Sequence, residues 1–219
     1  MKVKDRMNSN VKTVTLDSGI NEAFSLMKES NIRRLPVMDQ GKTVGIVTLS
    51  DLNRAAPSFA TSLSIYELNY LLARIKIRDV LPKGQKLLTV QSDTYIETAA
   101  RLMRDHKVSG LPVVDDGQLV GIITETDLFD ALIDILGVHH AHTRVDFIVK
   151  DRPGPIAEIT GLIAARGINI TNIVVYFDEK KGQYRVILRL EEIDCQPIID
   201  EMKAKGYEIE SVHVRTGDE

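Results

Sequence analysis

The chain has 219 residues, which at roughly 100–200 residues per domain allows one large domain or two small ones, with a core that needs no staples. Hydrophobic residues at 43% and charged residues at 27% exclude wholesale disorder, and a formal net charge of -3 excludes general steering toward nucleic acid or an anionic membrane. One cysteine, Cys195, excludes an internal disulfide framework and cysteine-rich metal sites, and with no tryptophan the core falls to Ile, Val and Leu.

The first twenty residues carry charges throughout and lack an apolar run, so no signal peptide is expected. No stretch approaches the ~20 apolar residues of a membrane span. A cytoplasmic chain without a membrane or nucleic-acid partner is expected, in a compartment that suits a free thiol.

The first two thirds are duplicated. Residues 14–53 lie over residues 90–129 without a gap. Identities include Leu35/Leu111, Pro36/Pro112, Val37/Val113, Gly41/Gly117, Gly45/Gly121, Thr48/Thr124 and Asp51/Asp127. Upstream, Val3-Lys4-Asp5 resembles Ile77-Arg78-Asp79.

Each copy predicts the same order. A short strand (12–15; 87–91) precedes a helix. Its stripe is Ile20, Ala23, Phe24 and Met27 in the first copy, and Ile96, Ala99, Ala100 and Met103 in the second. Leu-Pro-Val is then extended, because proline disfavours helical geometry in the residue before it. Asp39-Gln40-Gly41 and Asp115-Asp116-Gly117 are hairpin turns. The next strands, 44–47 and 120–123, are unbroken apolar runs, which predicts cover on both faces. Thr48 and Thr124, with Asp51 and Asp127 three residues on, stand at strand-to-helix junctions. Between the copies, residues 58–75 predict an amphipathic helix through Leu63, Tyr66, Leu68, Tyr70, Leu71, Leu72 and Ile75. One sixty-residue copy would expose an apolar face, and two can cover each other.

Beyond Gly137, a helix stop, the pattern changes. Residues 144–149 predict a strand, and Asp151-Arg152-Pro153-Gly154-Pro155 a turn into a helix marked by Ile156, Ile159, Leu162 and Ile163. Strands follow at 168–177 and around Tyr184, Val186, Leu188 and Leu190. A second helix carries Ile198, Ile199 and Met202, and a last strand runs over 208–214. The order is β-α-β-β-α-β, a ferredoxin-like unit.

A hydroxyl and a carboxylate three residues apart at a helix start can cap the helix. They can also present a hydroxyl and N–H groups to a phosphate while the carboxylate takes a ribose diol. Both readings stay open for Thr48/Asp51 and Thr124/Asp127. Arg34 suits phosphate and Arg33 reads as solvated, whereas the second copy has Ser109 and Gly110 there, preceded by His106 and Lys107. The copies therefore differ where a phosphate would sit. His139, His140 and His142 read as linker residues, since no acidic or cysteine ligand with metal spacing lies beside them. His106 and His213 are isolated. Cys195 starts a helix, where a thiol can be acidified, but it has no base partner. No P-loop, dinucleotide fingerprint, nucleophile elbow or zinc-protease motif occurs, so no catalytic activity is expected.

These motifs carry two resemblances. Leu-Pro-Val, the glycine turn, the apolar-glycine-apolar strand and Thr-x-x-Asp resemble a CBS motif, twice over 1–136. Asp151-Arg152-Pro153-Gly154 with Gly167-Ile168-Asn169-Ile170 resembles an ACT domain. The implied fold is α/β (α+β): CBS motif 1 with a connecting helix at 1–76, CBS motif 2 at 77–137, and a ferredoxin-like ACT domain at 143–219.

The CBS resemblance implies an adenine nucleotide (AMP, ADP or ATP) as regulatory ligand rather than cofactor. Its contacts would be Thr48, Thr124, Arg34 and Lys107 to phosphate, and Asp51 and Asp127 to ribose. The ACT resemblance implies an amino acid or small metabolite at Asp151, Gly154, Ile156 and Asn169. Pro155 puts in doubt any scheme that needs its N–H. The two modules together resemble acetoin-utilisation proteins, which implies a regulator in acetoin or butanediol use and a partner enzyme of acetate or acetoin metabolism. Open sheet edges predict a homodimer. A ligand-free scaffold for a partner enzyme and an enzyme of acetoin breakdown stand as alternatives.

Overall fold

The duplicated sequence folds twice into the same unit. In the computed structural model, residues 1–56, 64–82, 84, 86–138 and 142–216 are described. The first copy runs β1 (Val14–Thr15), α1 (Ile20–Glu29), β2 (Arg34–Asp39), β3 (Lys42–Thr48) and α2 (Leu49–Ala55). After α3 (Ile65–Arg74) and α4 (Ile77–Val80), the second copy runs α5 (Ile96–His106), β4 (Gly110–Asp115), β5 (Gln118–Thr124) and α6 (Glu125–Leu136). The second copy's opening strand shrinks to one parallel bridge, Val90 to Val113, matching Val14 to Val37 in the first.

The hairpins form because their turns supply the left-handed backbone that a two-residue loop needs. Gln40 and Gly41 have φ of 45° and 78°, and Asp116 and Gly117 have 50° and 80°. The helices bury the expected stripe: Ile20, Ala23 and Met27 in α1, and Ile96, Ala99 and Met103 in α5. Ala100 faces solvent instead. The apolar strand is not covered on both faces. Its register skips Val44 and Val120 in a bulge, and Val44 is 37% exposed while Val47 is fully buried.

The copies are tied by exchanged segments. Val3 and Lys4, which precede copy one, donate N–H groups to the carbonyls of Thr94 and Ser92 in copy two, at 2.8 Å each. Ile77 and Arg78, which precede copy two, donate to Ser18 and Leu16 of copy one at 3.0 Å each. Ile77 thereby joins the core of copy one with Val14, Ile20, Leu35, Val47 and Leu52. Burying such a side chain stabilises by roughly 1.5–3 kcal/mol. The segments pack closely over the repeated strand glycines: a Cβ on Gly45 would lie 2.7 Å from Leu81, and one on Gly121 would lie 2.5 Å from Met7.

The expected stripe at 58–75 is partly outside the described residues, which omit residues 58–63, including Leu63, and the side chains of Leu68 and Leu71. Leu72 packs on the core of copy one, whereas Tyr66 and Tyr70 face solvent.

The remaining elements are β6 (His142–Val149), α7 (Pro155–Ala165), β7 (Ile170–Asp178), β8 (Gln183–Leu190), α8 (Gln196–Ala204) and β9 (Glu208–Arg215). They form an antiparallel sheet in the order β7-β8-β6-β9, the split β-α-β arrangement. Val145, Phe147, Val186 and Leu188 bury one face with Ile159, Ile163, Ile198 and Met202 of the helices. The edge of Tyr207 meets the Phe147 ring with centroids 6.2 Å apart. The chain divides into two compact units, Met1–Leu128 and Phe129–Glu219, a cut that falls inside α6. Among the described residues no helix is long and apolar enough to cross a membrane.

Candidate functional site

In the first unit a cleft of about 1410 Å³ opens where the ends of the two hairpins meet. Arg34 and Thr48 are register partners at the ends of β2 and β3, and Gly110 and Thr124 are their equivalents on β4 and β5. Opposed residues of an antiparallel pair project to the same face. The hinge threonines and position 34 therefore arrive together, and Thr48, Thr124, Arg34 and Asp127 all line the cleft.

Thr48 and Asp51 close a capping box, and Thr124 makes the matching bonds to Asp127. The Thr48 hydroxyl donates to Asp51 at 2.6 Å, its N–H donates to the same carboxylate at 3.0 Å, and the Asp51 N–H returns to the hydroxyl at 3.2 Å. In copy two both the hydroxyl and N–H of Thr124 donate to Asp127, at 2.7 Å each. The box at Thr48 is complete without a ligand, which is the capping job read from the sequence. The acidic first turns also sit at the favourable ends of the helix dipoles. Each carboxylate keeps acceptor capacity for a diol.

Arg34 spans the cleft. Its Nη2 donates to Ser109 Oγ of the other copy at 2.7 Å. Burial pushes its guanidinium below its ordinary value, while the carboxylates of Glu125 and Asp127 pull the other way and Arg33 adds to the lowering. Asp51 stands behind Thr48 and is not in the lining. The cleft does not include Lys107. That residue is the exposed, left-handed C-cap of α5 with φ of 55°, although its counterpart Asn31 is a lining residue. Sequence reading missed Asn8, Asn10 and Lys12, which enter from the N-terminal segment, and Glu125. The pairing of Asn8 with Ile122 brings that segment there, and only long-range folding reveals it.

The ACT candidates do not form one cluster. Asp151 and Gly154 lie at the start of α7, where Gly154 is a left-handed N-cap with φ of 107° and Pro155 takes the first helical position. Ile156 packs against the core. Asn169 follows the other end of this 11-residue helix, so roughly 16 Å of helix separates it from Gly154. Its amide donates to Glu191 at 2.9 Å. Near the first turn of α7, the Tyr207 hydroxyl donates to Glu158 at 2.7 Å, and burial with that contact pushes the phenol up to about 12.

Two minor expectations are corrected. His142 is no linker residue: it starts β6, is buried, and accepts from Arg189 Nε at 3.3 Å. His139 and His140 lie outside the described residues, among which no group of three His, Cys, Asp or Glu is placed to hold a metal. Cys195 caps α8, but burial raises its thiol rather than acidifying it.

Comparison with known proteins follows the same division. The CBS domain profile matches residues 3–58 and 77–134, and the ACT domain profile matches 143–206. A CBS domain-containing protein of Dictyostelium discoideum is 34% identical over 136 residues, covering 61% of this chain and 92% of that protein. The CBS domain-containing protein YhcV of Bacillus subtilis is 31% identical over 126 residues, covering 58% and 81%. A crystal structure from Vibrio cholerae, named as an acetoin utilization protein (AcuB), is 31% identical with a TM-score of 0.51, covering 62% of this chain and 93% of that one. With two CBS matches spanning half its length and an ACT match after them, the chain belongs to the CBS-domain family and carries a C-terminal ACT domain.

Proposed function

We propose that this protein is a non-catalytic regulator whose CBS pair binds an adenine nucleotide, AMP, ADP or ATP, in the inter-copy cleft. The single observation that carries this is the joint presence of both hinge threonines, Asp127 and a part-buried arginine on one cleft wall. A hydroxyl, helix-start N–H groups and a guanidinium suit phosphate, and the Asp127 carboxylate suits the ribose diol. In this reading the CBS motifs occupy 1–76 and 77–137 and the ACT domain 143–219. The ACT domain takes an amino acid or small metabolite near Asp151 and Gly154, and the protein works as a cytoplasmic homodimer. The likeness to the Vibrio cholerae protein supports a role in acetoin or butanediol use, through a partner enzyme of acetate or acetoin metabolism.

Calorimetry and thermal melting with AMP, ADP, ATP and S-adenosylmethionine test the reading. A ligand at 100 times its Kd should stabilise the fold by about 2.7 kcal/mol. Binding should be lost in Asp51→Ala/Asp127→Ala. Silence from all four ligands would leave the second reading, a ligand-free scaffold, which the threonine–aspartate bonds made without a ligand favour.

A further inference from the structure

We infer that the cleft seats one anionic ligand per chain rather than two, with its phosphate against Arg34 where the two copies meet. This rests on the nucleotide reading above and adds its stoichiometry and charge. Positions 34 and 110 are equivalent, each pairing in register with its hinge threonine. The Arg34 side chain runs into the space that a side chain at 110 would need. A Cβ there would lie 2.7 Å from Nη1 and 2.9 Å from Cδ of Arg34. Equivalent residues thus meet between the copies, and the Arg34 side chain takes the space where a side chain at 110 would start.

The charge on the walls has the same asymmetry. The cations lining the cleft, among the described residues, are Lys12, Arg33 and Arg34, all from copy one. Their equivalents are Leu88, Ser109 and Gly110. Copy two instead supplies Glu125, where copy one has Leu49. A second phosphate would face that carboxylate with no cation of its own. Arg34 spends one hydrogen bond on Ser109, leaving most of its five N–H donors for a single anion.

Titration calorimetry of the full chain with AMP and with adenosine decides this. The expected result is one AMP per chain, with adenosine weaker by about tenfold to a hundredfold, the scale of a charge-assisted hydrogen bond. Arg34→Gln should weaken AMP by a similar factor and leave adenosine nearly unchanged, with an unaltered melting curve reporting intact folding. The exchange variant Arg34→Gly/Gly110→Arg should recover AMP binding relative to Arg34→Gly, again at one per chain. Two AMP sites of similar affinity, or equal binding of AMP and adenosine, would overturn the single seat while nucleotide binding stands. If neither compound binds, the same titration with ADP and ATP decides: one per chain supports the single seat, two per chain overturn it, and silence from these as well fails the nucleotide reading and the single seat with it.

Discussion

The two CBS copies share nearly every backbone feature and differ in a few side chains at one place. Hairpins, bulges, left-handed residues at Asn31 and Lys107 after the helices and the exchanged segments recur in both. The cleft wall does not: Lys12, Arg33, Arg34 and Leu49 in one copy stand against Leu88, Ser109, Gly110 and Glu125 in the other. A duplicated scaffold can keep its packing while its two faces diverge, because the core and the cleft use different residues. Scaffold symmetry here is a matter of buried aliphatic contacts, and the asymmetry is one of charge.

The largest expected effect tests the shared scaffold. Ile77→Ala should destabilise by about 2–5 kcal/mol, because it opens a cavity in the core of the copy it does not belong to. Val3→Ala is the matching change for copy two and should cost less, since fewer atoms are lost. Urea unfolding of both variants sharpens the comparison, and a near-zero effect of Ile77→Ala would break the exchanged-segment picture.

Next come the caps. Thr48→Ala and Thr124→Ala should each lower stability by about 0.5–2 kcal/mol through the loss of the hydroxyl's bond at the helix start. Similar losses would say the two helix starts are equivalent. If one variant also loses AMP far more than the other, the cleft asymmetry extends to the hinges.

The smallest effect is a pH dependence. Lys2 and Lys4 donate to Asp93 at 2.6 and 2.8 Å and hold its carboxyl at about 2, against an ordinary 3.8. A depressed carboxylate stabilises the fold above its unfolded value, and the contribution fades as pH falls through its folded value. The clamp of the N-terminal segment on copy two should therefore weaken between about pH 4 and pH 2, and Asp93→Asn should remove that part of the dependence. The pair is exposed, so the effect should be small and shrink further in salt. Urea midpoints against pH, at low and high salt, measure it.

Much of the fold was legible because the repeat states each element twice. The stripe Ile20, Ala23, Met27 and its counterpart, the turns at Gly41 and Gly117, and the threonine hinges all follow from local pattern. Several readings failed where a neighbour decided the outcome. Val44, at a bulge where the register skips it, is exposed, while its counterpart Val120 is half-buried. His142 is a strand residue because β6 begins there, and the Cys195 thiol is raised because the core closes over it. In the candidate site, Thr48, Thr124, Arg34 and Asp127, named from the repeat and the CBS resemblance, line the cleft, whereas Asp51 does not. Lys107 was placed there by sequence position alone, and its backbone turns it into a helix cap.

The sequence by itself determined the duplication, the element order and the chemical types at the hinges, since these depend on residue identity and near-neighbour spacing. Only the tertiary structure decided which copy each short segment serves. It also decided that Arg34 lies where a side chain at position 110 would begin, and that Asn169 and Gly154 stand at opposite ends of a helix. Those facts depend on distances between residues remote in the chain, which packing sets and local pattern does not record.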